Sequence, residues 1–204
     1  MEVSQNYVEL RGIAEQDPVY SHENHGRRFY KFPLRVDRLS GQADRPMIVA
    51  GETLLSAFPV HEGQSISLRG QLRSFNNKSG QGSRLVISVL AQELEEGAGS
   101  HYNRVMLSGV LCKQPYLRRT PLGRSICDII LAVNRRYGRA DYLPCIAWGQ
   151  VASRVSQMSV GERLSLEGRF QSRTYTKQLE DGAEERTAFE VSVMQLSDEE
   201  PYHL

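Results

Sequence analysis

The chain has 204 residues, with 25 Lys and Arg against 24 Asp and Glu for a net charge of +1, and 40% of it is hydrophobic. That length holds one large domain or two small ones, each able to bury a core. A mean hydropathy of −0.44, no apolar run near the roughly 20 residues of a bilayer span, and a start (MEVSQNYVEL) with no signal-peptide core point to a soluble cytoplasmic chain with no membrane segment.

Near-neutral charge by itself argues against a nucleic-acid binder, but the charges are unevenly placed. From Asn103 to Lys177 there are 13 Lys and Arg against 4 Asp and Glu, a balance of +9. Gln178 to Leu204 carries 1 Arg against 8 Asp and Glu, or −7, and Asn6 to Lys78 carries 10 against 8, or +2. Three cysteines, Cys112, Cys127 and Cys145, form no CxxC pair and read as reduced core residues rather than a disulfide framework or zinc site.

The chain repeats itself at an offset of about 97 residues. Val8, Leu10, Gly12, Pro18 and Gly26-Arg27 fall on Val105, Leu107, Gly109, Pro115 and Gly123-Arg124. Leu34, Val36, Arg38, Gly41, Ala43 and Asp44 fall on Leu131, Val133, Arg135, Gly138, Ala140 and Asp141, and after a slip of one, Gly63 and Gly70 fall on Gly161 and Gly168. Two copies of one domain are therefore expected, 1–96 and 103–197, with a polar, Gly-rich linker at 97–102 and an acidic tail at 198–204.

In chain order, the first copy reads as strands around a short helix bearing Leu54, Leu55 and Phe58. Pro33 falls inside its second strand, where proline is tolerated only at an edge or bulge, so a distorted strand is expected. Tyr30 and Phe32 share a face of that strand and read as core. In the second copy, Val105 to Leu111, Ile126 to Val133 and Tyr142 to Trp148 read as three strands. Val151, Val155 and Met158 then recur with helical spacing up to a stop at Gly161. Leu164, Leu166, Gly168 and Phe170 alternate as strand four, and Phe189, Val191 and Val193 as strand five. Five strands with one helix between the third and fourth is the order of an OB-fold. The expected class is all-β: two tandem OB-folds, each a five-stranded Greek-key barrel. Gly70 and Gly168 fit the sharp bends of such barrels.

The second copy also carries a series of motifs. They are Asn103-Arg-Val-Met-Leu-Ser-Gly109, Gln114-Pro115-Tyr-Leu-Arg118-Arg-Thr120-Pro121-Leu-Gly123, Leu131-Ala-Val-Asn134-Arg135-Arg136-Tyr137, Trp148-Gly149, and Glu167-Gly168-Arg169-Phe-Gln-Ser-Arg173-Thr-Tyr175-Thr. In this order the second copy resembles the bacterial single-stranded DNA-binding protein family from Asn103 to Ser197, and the first copy resembles it more weakly. The resemblance implies non-enzymatic, largely sequence-independent binding of single-stranded DNA in replication, repair or recombination, in the cytoplasm at the nucleoid, with no cofactor.

Such binding needs rings on which bases stack, at about 1–3 kcal/mol per base, and cations that follow the phosphates. The family's stacking positions fall on Tyr137, Tyr142, Trp148 and Tyr175; in the first copy only Phe75 offers a ring near them. Candidate phosphate contacts are Arg118, Arg119, Arg124, Arg135, Arg136, Arg139, Arg169, Arg173 and Lys177 in the second copy. In the first they are Arg27, Arg28, Arg38, Arg69, Arg73 and Lys78. Leu143-Pro144 departs from the polar or basic pair of many members, which argues against backbone contacts there. The first copy is accordingly expected to serve assembly more than stacking, with a homodimer supplying four OB-folds.

Two other readings stand beside this one: a primosome-type accessory OB protein whose main partner is another replication protein, and an RNA-binding OB protein. The tail Asp198-Glu-Glu-Pro-Tyr-His-Leu204, acidic with Pro and an aromatic, is a candidate recruiter of replication or repair proteins. His22 and His25 form an HxxH without a convincing third ligand, and no catalytic constellation is present, so neither a metal site nor catalytic residues are expected.

Overall fold

The structure is a computed structural model and describes residues 5–77, 85–135, 138–179 and 182–197. Two compact units emerge from the contacts. The N unit comprises Tyr7–Arg73 and Ile87–Arg104; the C unit comprises the described residues of Met1–Asn6, Ser74–Val86 and Val105–Leu204.

The first half of the chain forms β1 (Asn6–Ala14), β2 (Val19–Asn24), β3 (Arg27–Asp37), β4 (Ala43–Asp44), β5 (Met47–Gly51), α1 (Glu52–Ala57), β6 (Ser65–Asn76) and β7 (Leu85–Glu96). The second half forms β8 (Tyr102–Leu111), β9 (Tyr116–Arg119), β10 (Ser125–Asn134), β11 (Ala140–Trp148), α2 (Gly149–Val155), β12 (Arg163–Leu179) and β13 (Gly182–Leu196). Neighbouring strands run β1-β6-β7-β5-β3-β2 in one half, with β3 also pairing β1, and β8-β12-β13-β11-β10-β9 in the other, with β8 also pairing β10. Each order closes on itself, so each half is an OB-fold barrel.

Alternation along the strands fills the barrels. In the N unit Val8, Leu10, Phe32, Leu34, Ile48, Ile66 and Leu68 are buried; in the C unit Val105, Leu107, Ile129, Leu131, Leu143, Leu166 and Phe170 are. Each contributes about 1.5–3 kcal/mol on burial if it is Val, Leu, Ile or Phe. Tyr30 is half-buried rather than core, edge-on to Tyr20 with ring centroids 6.1 Å apart. Cys127 and Cys145 are buried and all three cysteines are free thiols, each with its pKa pushed up chiefly by burial.

The repeated glycines are required by close approach. A Cβ on Gly12 would lie 2.1 Å from the Arg35 carbonyl oxygen, and one on Gly109 2.5 Å from that of Ala132. Gly70 and Gly168 meet the carbonyls of Leu90 and Ser192 in the same way, and the ladder shifts register at Glu167/Gly168 as a bulge.

Four readings are corrected. The second strand of the first half is not distorted: β3 runs unbroken through Pro33, which pairs with Met47. Its carbonyl faces away from β5, accepting from the Glu15 N–H at 3.1 Å, so the missing N–H also lies off that ladder. The matching rung, Ile130 with Pro144, carries its proline on the opposite strand. Second, α2 ends at Val155 and excludes Met158. Gly161, at φ +94°, terminates no helix; its N–H reaches the Leu111 carbonyl at 2.8 Å, just as Gly63 reaches Ala14 at 2.8 Å. Third, each half has a further strand between the first two expected ones: β2 turns into β3 through His25 and Gly26, both at positive φ, and β9 pairs with β10. Fourth, strand four of the second half continues well past Phe170, to Leu179.

Candidate nucleic-acid interface

Because side chains alternate along a strand, one outer face of the C unit collects its candidate residues. Ladder partners give the rungs: Arg118, Ile126 and Trp148; Tyr116, Asp128 and Ile146; Ile130 and Pro144; Ala132 and Tyr142. The same alternation puts Leu143 in the core and Pro144 on the outer face. Trp148 is 41% exposed and Tyr142 51%, values that leave ring faces open rather than packed. On β12, Arg169, Arg173, Tyr175 and Lys177 share one face, with the Arg173 guanidinium 5.5 Å from the Tyr175 ring centroid.

Charges in the C unit fall into two groups. Arg118 donates to Asp128 from Nε at 2.6 Å and from Nη2 at 3.2 Å, and Arg173 lies 3.4 Å from Glu190. Glu190 is largely buried, which pushes its carboxyl pKa up; Arg173 and Arg118 pull it back and Asp128 pushes it further. Arg119, Arg124, Arg139, Arg169 and Lys177 are exposed and unpaired among the described residues.

Arg135 is committed elsewhere. It forks onto Asp141, donating from Nε at 2.6 Å, and Asp141 is fully buried. Ser74 completes this cluster: its N–H donates to Asp141 at 2.6 Å, its carbonyl accepts from Arg135 at 3.2 Å, and its Oγ accepts from the Tyr142 N–H at 2.8 Å. Phe75, 53% exposed, follows directly, so the cluster brings its backbone to the Tyr142 end of the face. Tyr137, Arg136 and Lys78 lie outside the described residues, as does the tail from Asp198 to Leu204.

In the N unit the candidate cations are mostly occupied. Arg38 forks onto the fully buried Asp44 at 2.6 and 2.7 Å, the counterpart of Arg135 and Asp141. Arg69 sits among Glu9, Glu93 and Glu95, Arg73 donates to Gln71, and Arg28 is 3.6 Å from Glu52. Arg27 is exposed and unpaired among the described residues.

Sequence reasoning missed three features. Tyr116, 66% exposed, shares the C-unit face. His22 stacks on Phe29 with centroids 5.0 Å apart and planes 9° apart, and Lys31 follows on the same face. The strand pairing that exposes them is what the sequence leaves implicit, although the 97-residue offset sets Phe29 and Gly51 on Ile126 and Trp148.

The single-strand binding protein family matches residues 102–197. A single-stranded DNA-binding protein of Clostridium tetani is 40% identical over 80 residues, which is 36% of this chain and 55% of that protein. Single-stranded DNA-binding protein A of Bacillus subtilis is 37% identical over 83 residues, 37% of this chain and 48% of its own length. The chain thus spans about half the length of these curated relatives. The crystal structure of wild-type single-stranded DNA binding protein from Thermus aquaticus superposes with a TM-score of 0.76 at 22% identity, over 98% of this chain and 96% of that one, and so shares the fold. Residues 102–197, just under half of the chain, are thus similar to the single-strand binding protein family.

Proposed function

We propose that this protein binds single-stranded DNA with little sequence preference, in replication, repair or recombination. One observation carries the reading: one outer face of the C unit sets exposed Tyr142 and Trp148 and half-buried Tyr175 beside Arg169 and Lys177, and five cations of that unit have no counter-ion among the described residues. Bases stack on the rings and phosphates follow Arg119, Arg124, Arg139, Arg169 and Lys177, a chemistry that is indifferent to base identity. By the resemblance Tyr137 stacks a base and Arg136 takes a phosphate, and a homodimer supplies four OB-folds. The tail from Asp198 recruits protein partners.

Anisotropy of a labelled oligothymidylate across a salt series tests the reading. Five phosphate contacts give a slope of log affinity against log salt near −3.5, at about −0.7 per contact on a single strand. A slope near zero, or no binding at low salt, overturns it.

A further inference from the structure

The N unit carries its own aromatic pair on the rung that holds Trp148 in the C unit. The C-unit rung reads Arg118, Ile126, Trp148 across β9, β10 and β11; the matching N-unit rung reads His22, Phe29, Gly51 across β2, β3 and β5. The aromatic has changed strands. Gly51 has no side chain, and a Cβ built there would lie 3.8 Å from Phe29 Cε1, so Phe29 leans over the glycine into the space from which Trp148 rises in the other unit. His22 lies flat against Phe29, exposed, with Phe29 half-buried, which leaves aromatic surface open to solvent.

The charges beside this pair are arranged for an anionic strand. The next rung is Val19, Lys31, Val49, where the C unit has Tyr116, Asp128, Ile146. Lys31 therefore replaces an aspartate that neutralises Arg118 in the other unit, and it is exposed without a partner among the described residues. Arg27 is likewise open, and Arg28 stands opposite Glu23 on the ladder and 3.6 Å from Glu52 in a pair more than half exposed on each side, which solvent screens.

We infer that His22 and Phe29 form a second base-stacking platform, with Lys31 and Arg27 taking the flanking phosphates, so that the N unit contacts single-stranded DNA directly. This rests on the single-strand binding proposed above. A merely structural ring pair would hold the β2–β3 hairpin together and meet no base.

Photocrosslinking of the full chain to an iodouracil-substituted oligonucleotide, followed by peptide mapping, tests it. Adducts are expected in the peptide containing His22 and Phe29 as well as in the C unit. Phe29→Leu and His22→Leu should each weaken binding of a long oligothymidylate by about 5- to 150-fold, the worth of one stacked base, while a short one still quenches Trp148. Adducts confined to the C unit, with both variants binding like the parent, overturn this inference alone. No adduct anywhere and no quenching of Trp148 overturns the single-strand reading along with it.

Discussion

The two units share a scaffold and differ on its outer face. Both use a glycine pair where strands cross, both fork an arginine onto a fully buried aspartate, and both tie a turn glycine to the end of the first strand. On the outer face the correspondence breaks. Trp148 stands opposite Ile126 in one unit, while Phe29 leans over Gly51 in the other, and Asp128 gives way to Lys31. The lesson is that barrel closure fixes the residues whose atoms approach within contact distance. Ring position and charge on the outer face, under no such restraint, are free to diverge and carry the function.

The largest effect should come from the shared scaffold. Replacing Asp141 with Ala strands the Arg135 charge and the Ser74 N–H, and Asp44→Ala strands Arg38; each should cost about 3–5 kcal/mol in denaturant unfolding. Equal losses confirm a common scaffold, whereas a loss in one unit only would break the equivalence. Next comes the outer face: Trp148→Ala should weaken single-strand binding by about 1–3 kcal/mol with unfolding unchanged to within a few tenths. An unchanged affinity would remove Trp148 from the interface.

A smaller effect is expected at the neutralised centre of the C-unit face. Glu190→Gln frees Arg173 for a phosphate, so affinity should rise a few-fold and the salt slope steepen by about 0.7. The charged groups around Glu190 are Arg173 on β12, Arg118 on β9 and Asp128 on β10. Its carboxyl pKa is raised, so ionisation opposes folding: stability declines as pH rises from the unfolded value through the folded one. Acidification through that window neutralises Glu190, and single-strand affinity should climb there in the parent but not in the Gln variant. A flat profile in both would show that Arg173 is already available. The smallest change is Lys177→Ala, which should reduce the slope by about 0.7 and weaken oligonucleotides of every sequence alike; a base-dependent loss would contradict a phosphate role.

Much of the scaffold was legible in the sequence because the repeat doubled every signal. The offset that set Arg38 and Asp44 on Arg135 and Asp141 marked the buried pairs, though without geometry both arginines read as phosphate contacts. Their partners stand six residues away in the sequence, a separation at which pairing depends on how the chain folds back. The pairing of Arg118 and Arg173 was likewise hidden, since Asp128 and Glu190 meet them only through strand register. Trp148 and Tyr142 were singled out by the resemblance, and in the structure period-two alternation sets them on the face opposite the core residues Leu143 and Cys145. Phe29 was not, since its role depends on a glycine on the neighbouring strand, and β2 was hidden in a stretch rich in polar residues and histidine. Met158 fitted a helical face by spacing alone, but α2 ends at Val155 and a turn carries Met158 beyond it.

Trp148 is the chain's single tryptophan, and it stands on the proposed interface, so its fluorescence reports on that face alone. Titration of the full chain with oligothymidylate at low salt should quench that emission saturably, and added salt should restore it. Emission that stays unchanged while the oligonucleotide is demonstrably bound would contradict the placement of single-stranded DNA on the outer face of the C unit.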